Sequence, residues 1–132
     1  MTIRSLVEAT INGEPVLHGI HDPWHTVGSG GSEPAFLNSW VIVTGFPVAF
    51  RKDELGNVHI RGTAQSGTYS AAVFNLPVGY RPAVNLSWLA NANPTAAVPV
   101  VSIVAATGAV TPSQKINVAT AVALNYIFTT EP

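Results

Sequence analysis

Glycine and proline interrupt this chain at such short intervals that the fold they suit is many short strands joined by turns. There are 11 glycines and 10 prolines in 132 residues. The β-branched valine, threonine and isoleucine are together abundant, while lysine, glutamine and methionine are scarce. That balance favours strands over helices. The length suits one domain that buries a core without cross-links. The chain has no cysteine, so neither a disulfide framework nor thiolate chemistry is available to it.

Charge is unusually sparse. Only 10% of the residues are charged, against roughly 25% in an ordinary globular domain. A small domain with so few charges leaves apolar or weakly polar surface, which an oligomer or a larger assembly normally covers. A homo-oligomer is therefore expected. The formal net charge of -1 gives no electrostatic case for nucleic acid or an anionic membrane. No apolar run is long enough for a membrane span. The opening Met1-Thr2-Ile3-Arg4-Ser5 is not followed by a signal-peptide core, because Glu8 and Asn12 interrupt it.

The local patterns divide the chain into 1–37, a hairpin and a glycine-rich arm, and 38–132, an all-β body. Ser5 to Ile11 and Glu14 to Ile20 flank Asn12-Gly13, a strong two-residue turn signal. Pro15 cannot donate to a ladder, so the outgoing strand reads as an edge. His21 to Asn38, with Gly28-Ser29-Gly30-Gly31-Ser32, reads as a long flexible loop. The body opens with a strand at Trp40 to Thr44. Val48 to Lys52 then turns through Asp53-Glu54-Leu55-Gly56-Asn57 into a second strand. There Val58, Ile60 and Gly62 face one way, and His59, Arg61 and Thr63 the other.

Further strands are expected at Ala71 to Phe74, Val84 to Leu89, Val98 to Ala105 and Ala109 to Thr111, with Pro112 to Lys115 polar. In the second of these regions, Val84, Leu86 and Trp88 share a face. Val118 to Phe128 reads as a long or broken strand, although alanine content alone also permits a helix over 117–124. Ala119, Ala121 and Ala123 would line one face of that strand, either as a thin spot in the core or as a subunit contact.

Catalytic signatures are missing from the sequence. Asp53 and Glu54 are adjacent, so no carboxylate pair suited to glycoside hydrolysis stands out. There is no Gly-x-Ser-x-Gly elbow and no phosphate-cradling loop. The expectation is a protein that is not an enzyme and needs no cofactor. His18, His21, Asp22 and His25 form one cluster whose residue types could hold a divalent metal, but Gly19 and Asp22-Pro23 argue against the helix its spacing would need. The preferred reading is three loop or edge histidines with no metal. If the protein binds sugar, aromatic faces and amides would do it. Trp24 and Tyr69 lie in loops and read as exposed, with Arg61, Gln65, Asn91 and Asn93 as polar partners. Trp40 and Trp88 lie on apolar strands and read as core.

Three stretches carry a resemblance. They are Asn38-Ser39-Trp40; the run Phe50-Arg51-Lys52-Asp53-Glu54-Leu55-Gly56-Asn57-Val58-His59-Ile60-Arg61-Gly62; and Phe74-Asn75-Leu76-Pro77-Val78-Gly79-Tyr80-Arg81-Pro82. In this order they resemble a module of bacteriophage tail fibre and minor tail proteins, over roughly Asn38 to Phe128. The resemblance implies a β-sandwich or jelly-roll-like head domain, usually a homotrimer, carried on a phage tail in the virion. Related heads bind host-surface glycans. The sequence departs from the family in showing no long shaft, coiled-coil heptads or collagen-like triplets before the head. That implies either direct docking on other tail proteins through the N-terminal region, or a component that is not itself the adhesin.

The motif residues also have local physical roles. Gly56 and Asn57 permit a tight hairpin, and Arg51 to Glu54 read as a solvated charged turn. Gly79 lets its loop bend and Pro82 fixes the exit. Tyr80 is expected to pack its ring under the loop with its hydroxyl at the surface, and Arg81 to hold a carboxylate such as Asp53. Receptor binding is the leading expectation. A purely structural tail, baseplate or capsid decoration protein is the alternative, and a lectin-like or cytokine-like sandwich of cellular origin a third.

Overall fold

The alternation at residues 58–62 becomes the middle of a sheet. The computed structural model describes residues 10–11, 14–15, 22–93, 99–113 and 121–130. Its strands, in chain order, are β1 (Thr10–Ile11), β2 (Glu14–Pro15), β3 (His25–Thr26), β4 (Val41–Ile42), β5 (Ala49–Lys52), β6 (Asn57–Arg61) and β7 (Thr63–Gln65). They continue as β8 (Phe74–Asn75), β9 (Leu86–Leu89), β10 (Ala92–Asn93), β11 (Val100–Ile103), β12 (Ala109–Ser113), β13 (Ala121–Ala123) and β14 (Tyr126–Thr129). Every pairing is antiparallel, and the described residues contain no helix. The protein is all-β, with the architecture of a β-sandwich.

One sheet runs β14-β6-β5-β3 and a second β8-β12-β11-β9. Their inner faces meet where Phe50 of β5 stacks on Phe74 of β8, ring centroids 5.9 Å apart. Val58, Ile60, Val101, Ile103, Val110 and Phe128 join them in one buried cluster. The third sheet, β10-β13-β7-β4, prolongs the first. Here β6 breaks at Gly62 into β7, and β13 breaks at Leu124-Asn125 into β14. The Leu124 amide bonds the Gly62 carbonyl at 2.8 Å across that joint. The chain from β9 to β10 passes from the second sheet to the third, making a corner between layers.

The hairpin expected through the charged turn is present: Arg51 pairs with His59 and Lys52 with Val58. Val58, Ile60 and Gly62 are buried, while His59 and Thr63 are half-buried and Arg61 exposed, as the alternation predicts. At the N-terminus Thr10 pairs with Pro15 and Ile11 with Glu14; the rest of the expected hairpin lies outside the described residues.

Several expectations change. The supposed loop from His21 to Asn38 contains β3, in which His25 pairs with Phe50, and it contributes Val27, only 2% exposed, to the core. Apolar burial of Val27 and a free edge on β5 draw in a segment whose glycines look flexible in isolation. Val84 falls outside β9 and is exposed, so only Leu86 and Trp88 face inward. Pro112 is buried inside β12, opposite Val101. Its missing N–H lies on the side beyond the end of β8, where its carbonyl accepts the Ser70 amide at 2.7 Å. Of the region where a helix was possible, 121–123 is strand. Val122 points into the core, and Ala121 and Ala123 lie half-buried on the other face. Ala119 lies outside the described residues.

Trp40 is the largest fully buried side chain. Asn38 and Ser39 precede it with φ of 54° and 68°. Non-glycine residues occupy that left-handed region at a cost of roughly 1–2 kcal/mol each. Burial of the indole and two hydrogen bonds offset this: Asn38 Nδ2 to the Ala72 carbonyl at 2.9 Å, and Trp40 Nε1 to the Ala71 carbonyl at 3.2 Å.

Candidate functional site

Because Phe50 and Ile60 pair with each other and are buried, their neighbours Arg51, His59 and Arg61 occupy the outer face of the same sheet. Trp24, directly before β3, lies against that face. The Arg61 guanidinium carbon sits 3.8 Å from the indole centroid and that of Arg51 5.7 Å away. Both distances are within cation–π range. Among the described residues neither guanidinium has an ion-pair or hydrogen-bond partner. Two of the candidates, Trp24 and Arg61, are thus brought together, with Trp24 half-buried rather than freely exposed.

Behind the platform a polar clasp fixes the segment that carries Trp24. One ring nitrogen of His25, Nδ1, bonds Glu33 at 2.9 Å, and the other, Nε2, bonds Asp22 at 2.7 Å. Tyr80 donates its hydroxyl to the second Asp22 oxygen at 2.9 Å, which also accepts the Lys52 amide at 2.9 Å. Burial alone would raise the Asp22 carboxyl, but the Lys52 amide, His25 and Tyr80 hold it below its ordinary value. Burial likewise opposes the charge on His25, and the bonds to Glu33 and Asp22 overcome it and raise its pKa. Burial and the Asp22 carboxylate push the Tyr80 phenol up to about 12. The consistent proton inventory is an imidazolium donating to two carboxylates, with a neutral phenol donating to one of them.

The motif residues build the two loops beside this clasp. Asp53 accepts the amides of Leu55 and Asn57, each at 2.9 Å, and its other oxygen bonds His59 Nε2 at 2.9 Å. His59, then the Asn57 amide, bring the Asp53 carboxyl down to about 2. Gly56 and Gly79 take φ of 87° and 98°, the left-handed values their turns require; Asn57 already belongs to β6. Arg51 and Lys52 are half-buried strand residues rather than parts of a solvated turn. Arg81 does not reach Asp53. It donates to the carbonyls of Leu76 at 2.8 Å and Ala106 at 2.9 Å, bracing its own loop. Tyr80 keeps its ring under the loop, edge-on to Phe50 at 5.1 Å, but its hydroxyl turns inward to Asp22. Pro82 is buried at the loop's exit.

The remaining candidates lie elsewhere. Tyr69 packs edge-on against Trp40 at 5.2 Å, with its hydroxyl buried and unpartnered among the described residues. It is therefore part of the core margin and not an exposed platform. Gln65 pairs with Ala121, and Ala121 with Asn93, so all three share one row across the third sheet. The Gln65 amide donates to the Ile42 carbonyl at 3.2 Å. Asn91 is exposed beside Trp88 and Asn125. His18 and His21 lie outside the described residues. Among the described residues no three acidic, histidine or cysteine side chains converge on a metal position.

A second surface feature lies where the edge strands β9 and β14 meet. Trp88 stacks on Tyr126 with centroids 4.1 Å apart and planes within 2°. Next to the pair in sequence, Leu89 (70%) and Ile127 (57%) turn to the strand faces opposite Trp88 and Tyr126, and Val84 (65%) stands exposed before β9. Sequence reasoning missed Glu33, Lys52 and the Asp22–Tyr80 bond. The only signal was the cluster of His18, His21, Asp22 and His25, of which Asp22 and His25 belong to the clasp and the other two lie outside the described residues. No family model, no curated protein and no solved structure matches this chain.

Proposed function

We propose that this chain is a non-enzymatic binding module of a phage virion: a jelly-roll-like tail head domain that recognises a host-surface glycan as a homo-oligomer, a trimer in the first instance. The observation that carries the reading is Trp24 on the outer face of a paired sheet, with the guanidinium of Arg61 3.8 Å from its ring. An indole beside donors with no partner among the described residues is the chemistry by which sugar rings are held and oriented. The clasp argues for binding over catalysis, since both nitrogens of His25 are engaged by carboxylates and neither is left to accept a proton.

A second reading, a structural tail or decoration protein without a ligand, is favoured by the exposed Val84, Leu89 and Ile127 on or next to the edge strands β9 and β14. Apolar side chains on adjoining strand edges suit a contact with a copy or a neighbour in a particle. A glycan array probed with the full chain separates the two. Selective retention of some glycans supports the head-domain reading, and a blank array together with labelling of virions leaves the structural one. Absence of the protein from virions removes both.

A further inference from the structure

Resting on that reading, we propose that the Trp24, Arg51 and Arg61 platform takes an acidic saccharide, a sugar whose ring bears a carboxylate, phosphate or sulfate. Charge economy is the starting point. The chain has six lysines and arginines in all. Arg81 is committed to two backbone carbonyls and Lys52 lies over the Tyr80 ring at 5.5 Å. Arg51 and Arg61, by contrast, converge on one indole with no acidic partner among the described residues.

The nearby carboxylates have other work. Asp22 and Glu33 are bonded to His25, and Asp53, two residues beyond Arg51, is held by His59 and two amides. A guanidinium at the surface, half-buried for Arg51 and exposed for Arg61, with no counter-charge among the described residues is suited to an external anion. Stacking on Trp24 fixes the plane of the Arg61 fork, so less freedom is lost when it closes on an oxyanion. The neighbouring indole surface then offers an apolar contact to the sugar ring, which a bare anion could not use. The platform sits on β5 and β6, whose backbones are paired on both sides, and the clasp holds Trp24 in place from behind.

Titrating the full chain with oligogalacturonate, with a neutral galactan oligosaccharide of equal length and with inorganic phosphate tests the proposal, alongside an array of carboxylated, sulfated, phosphorylated and neutral glycans. Acidic glycans are expected to bind and neutral ones to bind at least about tenfold more weakly, the effect of losing one charge-assisted hydrogen bond. Arg61→Gln and Arg51→Gln should each lose about tenfold, and Val78→Ser, on an exposed turn remote in sequence, should lose nothing. Far-ultraviolet circular dichroism and melting curves verify that the variants fold, and Arg61→Lys serves where Arg61→Gln does not. Preference for neutral glycans overturns the acidic ligand while leaving a glycan-binding head intact. Phosphate competing as well as the saccharide overturns the role of the sugar ring. Failure of every glycan overturns the proposal and the reading beneath it together.

Discussion

Tyr80 donates its hydroxyl to Asp22 at 2.9 Å across 58 positions of sequence. The bond ties the loop after β8 to the segment before β3. Asp22 is the hub, since the Lys52 amide and His25 converge on the same carboxylate. Replacing Asp22 by alanine should cost roughly 2–3 kcal/mol and Tyr80→Phe about 1 kcal/mol, because hydrogen bonds to a charged acceptor exceed the loss of a single neutral donor. Urea unfolding measures both. A larger loss in Tyr80→Phe would show that the hydroxyl acts through a partner other than Asp22, such as His25 Nε2 at 3.1 Å.

The clasp should give stability a defined pH window. The pKa of His25 is raised above 6.5, so its contribution is complete below pH 6.5 and is lost as pH rises through its folded value. Asp22 is lowered from 3.8, so its contribution is present above pH 3.8 and is lost as pH falls through its folded value. The two together are fully expressed between pH 3.8 and 6.5. His25→Gln should flatten the alkaline limb of a Tm-against-pH profile and leave the acid limb sloping. An unchanged alkaline limb would remove His25 from the account.

Gly67 packs directly beneath the core tryptophan. A Cβ there would lie 2.0 Å from Trp40 Cδ2, and the ring, fully enclosed, has nowhere to move. Gly67→Ala should therefore destabilise by roughly 1–3 kcal/mol through overpacking. Trp40→Ala should cost more, about 3–5 kcal/mol, through the cavity it leaves. Paired chemical melts, read by circular dichroism, give both values.

The exposed apolar residues on the strand edges predict an assembly that charge would disrupt. Leu89→Asp combined with Ile127→Asp should shift an oligomer to single chains in light scattering, with the Tm of the isolated fold little changed, since both positions face solvent in one chain. If the native protein is already a single-chain species at high concentration, this surface covers nothing and the argument from sparse charge fails.

Much of the fold is legible locally. Alternation in residues 58–62 assigns Val58 and Ile60 to the core and Arg61 to the outside, because a strand has a period of two wherever it is placed. Asp53 and Gly56 announce a turn by their own chemistry, and the turn is there. The strand expected to end at Thr111 runs on through Pro112 to Ser113 for the opposite reason. A proline reads as a break in isolation, and only the early end of β8 leaves the side of β12 on which a missing N–H costs nothing.

The sequence by itself determined the strand class of the chain, the hairpin through Asp53 to Asn57 and which face of β6 turns inward, all consequences of side-chain type over a few neighbouring residues. The tertiary structure alone decided that 25–27 pairs with 48–50, that Arg81 serves carbonyls and not Asp53, and that Trp24 meets Arg61. Such pairs are set by sheet register and layer packing, which bring together residues dozens of positions apart. No local period encodes that distance.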